Sequence, residues 1–224
     1  MTILKKIYRS SVRCHDFLQN PLISMFDPQV EMGHTVSGPE NRLGLLSVSS
    51  KDCLKTQEGR LKLIQTICYE VIELTGSNGV HPGDIAVTCD DFDSQTLFGV
   101  NEISDLVEEF NEQISRIFEC KKRVPQATSY PSESITRVHK KSTACDCKFF
   151  LGPYKRLKGL TVKVVIFVNG HGRSSGYNRL AVYTALSRSS CTFRLLNVQV
   201  LDMSTEQYQI DRMNFDKGKM NDDG

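Results

Sequence analysis

Residues 158–198, KGLTVKVVIFVNGHGRSSGYNRLAVYTALSRSSCTFRLLNV, decide the fold class of this chain. Residues 162–168 form an apolar run rich in β-branched side chains, which is typical of a buried strand. A polar loop containing glycine follows over 169–176, then a short helix carrying 183–188, then a second apolar strand over 193–200. A strand, a helix and a strand in this order predict one βαβ unit of a mostly parallel sheet.

Arg188 ends the helix of this unit, and its neighbours Ser187, Ser189 and Ser190 are small. A fixed cation without bulky neighbours suits a phosphate held between two protein surfaces. A surface arginine near a helix C-terminus is the alternative, because the helix macrodipole also favours a cation there. For Arg188 taken alone, that alternative is the favoured interpretation.

Motifs at both ends of the chain resemble one family. The Lys158-Gly159-Leu160 turn, the VVI strand and the ALSR helix are similar to the last two motifs of superfamily 1 helicases of the UvrD/Rep type. Residues 3–11, ILKKIYRSS, resemble the motif that opens the second RecA-like domain of those enzymes. Residues 8–18 also resemble the helicase-like part of Schlafen-type animal proteins.

The resemblance implies a three-layer α/β domain of the RecA-like (P-loop NTPase-like) class over residues 1–203, with a central, mostly parallel sheet. Residues 204–224 lose hydrophobic periodicity, and we expect a disordered tail there. The chain would then be the C-terminal half of an ATP-dependent nucleic-acid helicase or translocase. Its ATP site would be shared with a first RecA-like domain, in cis or in trans.

The family's motifs also imply roles for single residues. In the family, the arginine of each motif reaches the terminal phosphate of ATP, which gives this catalytic role to Arg9 and Arg188. The nucleotide-binding residues implied beside them are Tyr8, Lys158, Gly159 and Ser187. If the assignment is right, Arg9 and Arg188 must point to the same edge of the domain. Two unrelated surface arginines would usually lie on different faces.

Several features of the family are missing. No Gly-x-x-x-x-Gly-Lys-Ser/Thr phosphate loop occurs in the sequence. ATP and Mg²⁺ are therefore expected only in the complete motor, and we expect the isolated chain to bind no cofactor and to have no ATPase activity. Thr161 stands where the family usually has a glutamate, and a histidine common in the family is replaced near Lys155. Both departures weaken the expectation of efficient nucleotide handling.

Nucleic-acid binding is a prediction from local charge, because the net charge of +2 is too small to indicate it. Lys121, Lys122 and Arg123 form the densest basic cluster and could contact a phosphate backbone, DNA or RNA. Three cations just past a helix C-terminus are equally well explained by the macrodipole and by solubility. Both interpretations remain open.

No metal site is predicted. Cys145 and Cys147, with His139 nearby, lack the spacing of a structural zinc site. The acidic run at 90–93 could bind a divalent cation, but an acidic loop before a helix is the favoured interpretation. The eight cysteines are scattered, and without a signal peptide or membrane span we expect them to be reduced and the protein to be intracellular, nuclear or cytoplasmic.

Hydrophobic periodicity predicts the remaining elements. They are helices over 57–75 and 101–118, strands over 43–49, 85–89 and 130–141, a loop over 28–38, and a helix break near Asn20. Two further functions are compatible with the sequence. A non-catalytic remnant that binds nucleic acid or protein is the main alternative, and a Rossmann-like ligand-binding domain is weaker because no Gly-x-Gly-x-x-Gly occurs.

Overall fold

The structure, a computed structural model, describes residues 6–7, 10–19, 31–48, 56–76, 79–89, 103–117, 125–129, 148–170 and 179–200. Within these residues, six parallel strands form one sheet in the order β3–β8–β7–β4–β6–β5. Two short strands, β1 and β2, pair in parallel apart from it. The strands are β1 (Lys6–Ile7), β2 (Glu31–Met32), β3 (Arg42–Val48), β4 (Ile85–Cys89), β5 (Gln126–Thr128), β6 (Lys148–Pro153), β7 (Val162–Gly170) and β8 (Ser189–Val200).

Four described helices cover the two faces of the sheet: α1 (Val12–Leu18), α2 (Gln57–Gly76), α3 (Ile103–Ile117) and α4 (Arg179–Leu186). Helices α2 and α3 pack on one face, where their apolar side chains join alternate residues of β4 and β7. Helices α1 and α4 pack on the other face with the remaining alternate residues. The domain is therefore a three-layer α/β domain with both sheet faces buried, as parallel sheets require.

The direction of each crossover explains which face each helix covers. The connections β3–α2–β4 and β4–α3–β5 advance across the sheet in one direction and place both helices on the same face. The connections β6–β7 and β7–α4–β8 run in the opposite direction and pass over the other face. One hand for all four crossovers, which parallel strands strongly prefer, requires this division.

Burial of apolar stripes fixes the helices. In α3, Leu106, Phe110 and Ile114 recur at helical spacing and are fully buried. A bidentate ion pair then couples α3 to α2, since the Arg60 Nε and Nη2 atoms donate to the two carboxylate oxygens of Glu109 at 2.8 and 2.9 Å. Paired in this way, a guanidinium and a carboxylate hold a defined geometry.

The α/β fold class and the βαβ unit are confirmed, and the described main sheet is fully parallel rather than mostly so. Strand β4 has the predicted bounds, and β3 begins one residue early. Strand β8 begins at Ser189, four residues before the predicted start, so Arg188 lies in the turn between α4 and β8. Strands β5 and β6 were not predicted, and β2 lies inside the predicted 28–38 loop.

Some predictions fall on residues outside the described ranges. These are the strand at 130–141, the break near Asn20 and the tail at 204–224. Within the described ranges, the ends of α2 and α3 agree with the predicted helices to within one or two residues.

Candidate functional site

The Lys158-Gly159-Leu160 turn leads into β7 from a short 3-10 helix, Tyr154–Leu157. The Lys158 N–H donates to the carbonyl of Lys155 at 3.3 Å, and the Leu160 N–H donates to that of Leu157 at 3.0 Å. Gly159 has φ = +86°, a conformation that side chains disfavour, and no described atom beyond its chain neighbours lies within 4 Å of where its Cβ would be. Lys158 and Gly159 are both exposed, so backbone and cation are open to a ligand at the start of β7.

Backbone hydrogen bonds place Arg188 beside this turn. The Ser187 N–H donates to Tyr183 and the Arg188 N–H to Ala185, at 2.9 and 3.0 Å, which closes the end of α4. The Arg188 carbonyl then accepts from the N–H of Val162, the first residue of β7, at 3.0 Å. The sequence-predicted residues Lys158, Gly159, Ser187 and Arg188 therefore lie at one edge of the sheet.

The hydroxyl of Ser187 orients the guanidinium of Arg188 through hydrogen bonds. Its Nε and Nη2 atoms donate to Ser187 Oγ at 3.3 and 3.1 Å, and Ser187 Oγ donates to the carbonyl of Thr184 at 3.0 Å. The positive charge of Arg188 also acts on the nearby Tyr183. Burial raises the pKa of the Tyr183 phenol, and the charge of Arg188 opposes that rise. Arg188 is half-buried. Its orientation is thus restrained before any ligand arrives.

The N-terminal motif meets the same edge through Ser11. The Ser11 N–H donates to the carbonyl of Ser190 at 3.0 Å, and Ser11 Oγ donates to the carbonyl of Cys191 at 2.7 Å. Ser11 also caps α1, since its Oγ accepts from the Cys14 N–H at 3.4 Å. The residues just after Tyr8 and Arg9 are therefore bonded to the residues just after Arg188. Tyr8 and Arg9 themselves lie outside the described residues.

Gly38 completes this contact, which we call the Ser11 junction: Ser11, Gly38, Ser190 and Cys191. Gly38 has φ = +77°, and a Cβ there would lie 2.5 Å from Ser11 Cβ and 3.0 Å from the Cys191 carbonyl oxygen. The loop before Gly38 is tied to α1, because the Val12 N–H donates to the Val36 carbonyl at 2.9 Å. Only glycine fits the junction without displacing a neighbour.

Asn41, which sequence analysis missed, supports the junction from the side of β3. Its Oδ1 accepts from the N–H of Phe193 at 3.2 Å, and its Nδ2 donates to the carbonyl of Arg13 at 3.1 Å. Asn41 thereby links α1 to β8. No sequence signal marks it, because both contacts join segments far apart in the chain.

The charge at this edge is mainly positive. Lys155, Arg156 and Lys158 are exposed on the turn before β7. Lys163 pairs with Asp84 at 2.7 Å, which neutralises one cation there. A basic edge beside open backbone at Gly159 suits the oxygens of a phosphate group. These residues therefore fit the nucleotide phosphate that the sequence resemblance implies.

The other predicted sites fall on residues that the structure does not describe. Lys121, Lys122, Arg123 and the acidic run at 90–93 lie outside the described ranges, as do Cys145 and Cys147. Across the part of the chain that the structure describes, no three or more histidine, cysteine, aspartate or glutamate side chains group as metal ligands would. None of the described helices combines the length and the apolar character needed to cross a membrane.

Comparisons with known proteins add little to these contacts. No protein-family model matches the chain, and no curated protein matches it. Among solved structures, the chain is similar to the crystal structure of the C-terminal domain of a possible DNA helicase from Lactobacillus plantarum WCFS1. The two share 15% sequence identity over 87% of this chain and 89% of that chain, with a TM-score of 0.48. A similarity at this level does not establish a function.

Proposed function

We propose that this chain is the second RecA-like half of a helicase-type motor and contributes cations to an ATP site shared with a first RecA-like domain. The observation that supports this most is the Ser11–Ser190 hydrogen bond of 3.0 Å. It joins the end of the N-terminal motif to the residues next to Arg188, although Ser11 and Ser190 are 179 positions apart in the sequence. Two unrelated surface segments would have no reason to meet.

The proposed roles follow from position. Arg188, oriented by Ser187, and Arg9 would neutralise charge that develops on the γ-phosphate, as arginines supplied across a cleft do. Lys158 and the exposed backbone at Gly159 would contact phosphate or sugar, and Tyr8 would lie beside Arg9. The bound nucleotide would supply the phosphoryl group, and Mg²⁺ would neutralise it in the complete motor. A first domain has to provide the phosphate loop that this sequence lacks.

Nucleic acid is the proposed second ligand. Lys121, Lys122 and Arg123 are its proposed contacts, because a local basic cluster binds phosphates regardless of sequence. An intracellular location, nuclear or cytoplasmic, follows from this role.

A second candidate is a binding module that keeps the fold without the motor. Thr161, immediately before β7, favours this binding module, because a hydroxyl cannot replace the carboxylate that the family usually has there. The two functions differ in what they require of the gene. A phosphate loop encoded in the same reading frame, upstream of Met1, supports the motor, whereas a genuine start at Met1 supports the binding module.

The experiment is a rate measurement on the chain joined to its first domain. Arg188→Ala should lower the ATPase rate by roughly 10³-fold or more, the usual effect of removing such an arginine. Arg116→Ala is the matched control, because Arg116 is an exposed arginine on α3 that pairs only loosely with Glu112 at 3.6 Å. An unchanged ATPase rate for Arg188→Ala would contradict the proposed site.

A further inference from the structure

Two cysteines meet at the Ser11 junction. Cys14 lies on α1 and is fully buried, and its Sγ donates to the carbonyl oxygen of Cys191 at 3.4 Å. Cys191 is the third residue of β8 and is half-buried, with its Sγ 3.9 Å from Ser190 Oγ. Both are free thiols, although 177 positions separate them in the chain.

The two thiols differ in how far they are buried. Cys191 is half-buried and therefore the more accessible of the two to a small oxidant, whereas Cys14 is buried. Burial raises the pKa of Cys14, a hydrogen bond from Ser11 lowers it, and the nearby thiol of Cys191 raises it further. Cys14 therefore stays protonated and unreactive towards solvent. The two residues are in contact, because the Cys14 sulfur lies 3.4 Å from the Cys191 carbonyl oxygen.

We propose that Cys14 and Cys191 form a reversible disulfide when the protein meets a peroxide. The Cys191 sulfur attacks one oxygen of hydrogen peroxide, the O–O bond breaks, and a sulfenic acid and one water result. The Cys14 sulfur then attacks the Cys191 sulfur, the S–O bond breaks, and the hydroxyl leaves as water with the Cys14 proton. Peroxide is the oxidant in this sequence, and a dithiol reverses it by exchange.

The cross-link would have a defined structural effect. It would join α1 covalently to the first residues of β8, the same two segments that the Ser11 junction joins by hydrogen bonds. Oxidation would thus fix the N-terminal motif against the segment that carries Arg188. This switch goes beyond the proposed motor function and does not depend on it.

Peptide mapping tests the proposal on the intact chain. After peroxide treatment and alkylation, trypsin should release residues 14–42 linked to residues 189–194. Each of these peptides contains a single cysteine, so their linkage identifies the pair without ambiguity. The linked form should be the main product, should have lost two hydrogen atoms relative to the sum of its peptides, and should disappear after dithiothreitol.

Variants give a second readout. Cys191→Ser should abolish the link, and because Cys191 is half-buried this variant should fold. Cys14→Ser should leave a sulfenic acid at Cys191 that dimedone traps, since its resolving thiol is gone. The proposal is overturned if wild-type residues 189–194 carry a sulfenic or sulfinic acid without the link, if either cysteine links to another one, or if both remain unmodified while other cysteines oxidise.

Discussion

Gly38→Ala tests the packing of the Ser11 junction. The new Cβ would lie 2.5 Å from Ser11 Cβ and 2.8 Å from Ser11 Oγ, so one segment must move. Forcing a side chain into a packed site costs roughly 1–3 kcal/mol. Holding alanine at the positive φ of Gly38 costs roughly 1–2 kcal/mol more. The free energy of unfolding should therefore fall by about 2–5 kcal/mol.

Gly79→Ala is the matched control for this measurement. Gly79 also has a positive φ, +62°, but among the described residues no atom beyond its chain neighbours lies within 4 Å of its Cβ position. It should lose only the backbone part, about 1–2 kcal/mol. Urea unfolding of both variants, with the slope m unchanged, gives the difference as a shift in midpoint. Equal losses for Gly38→Ala and Gly79→Ala would refute the close approach of the loop to Ser11.

Two further predictions concern acidity and nucleic-acid binding. Burial raises the pKa of Cys68 from 9.0 to about 12. The folded state therefore holds this proton more tightly, so the contribution of Cys68 to stability should be constant below pH 9 and fall by up to about 1.4 kcal/mol per pH unit between 9 and 12. Urea unfolding of Cys68→Ala should show a weaker fall than wild type, and an identical pH profile would count against this cause. Replacing Lys121 and Lys122 by glutamine should weaken single-stranded nucleic-acid binding and reduce the slope of log K against log salt by about 1.4, as measured by fluorescence anisotropy. An unchanged slope would remove these lysines from the interface.

The sheet's interior was predictable because its signals are local. Residues 85–89 are apolar at every position but one and are flanked by a proline-glycine turn, so their neighbours alone predict β4. The same holds for β7 and for α3, where a run of β-branched residues or a helical stripe is visible in a short window. Strand β5 escaped prediction because it has only three residues, and β6 because it ends in Gly152 and Pro153, which usually mark turns.

The edge that carries the candidate site was predictable only in part. Motif resemblance placed Arg188 and Lys158 on adjacent segments, and the structure brings those segments together through the Val162–Arg188 hydrogen bond. The contacts of Ser11 with Cys191 and of Asn41 with Phe193 could not be predicted, since each joins residues 150 or more positions apart. Local sequence does not encode such pairings, because they depend on the order of strands in the finished sheet.

The most direct test of the proposed function is an experimental structure of this chain joined to a first RecA-like domain, with Mg²⁺ and a non-hydrolysable ATP analogue. We expect the guanidinium groups of Arg9 and Arg188 to donate to oxygens of the same γ-phosphate, with Lys158 and Gly159 bordering it. The Ser11–Ser190 hydrogen bond should persist, since it holds the two motifs together. If either arginine points away from the nucleotide, or if the nucleotide binds at another edge of the sheet, the proposed site is wrong.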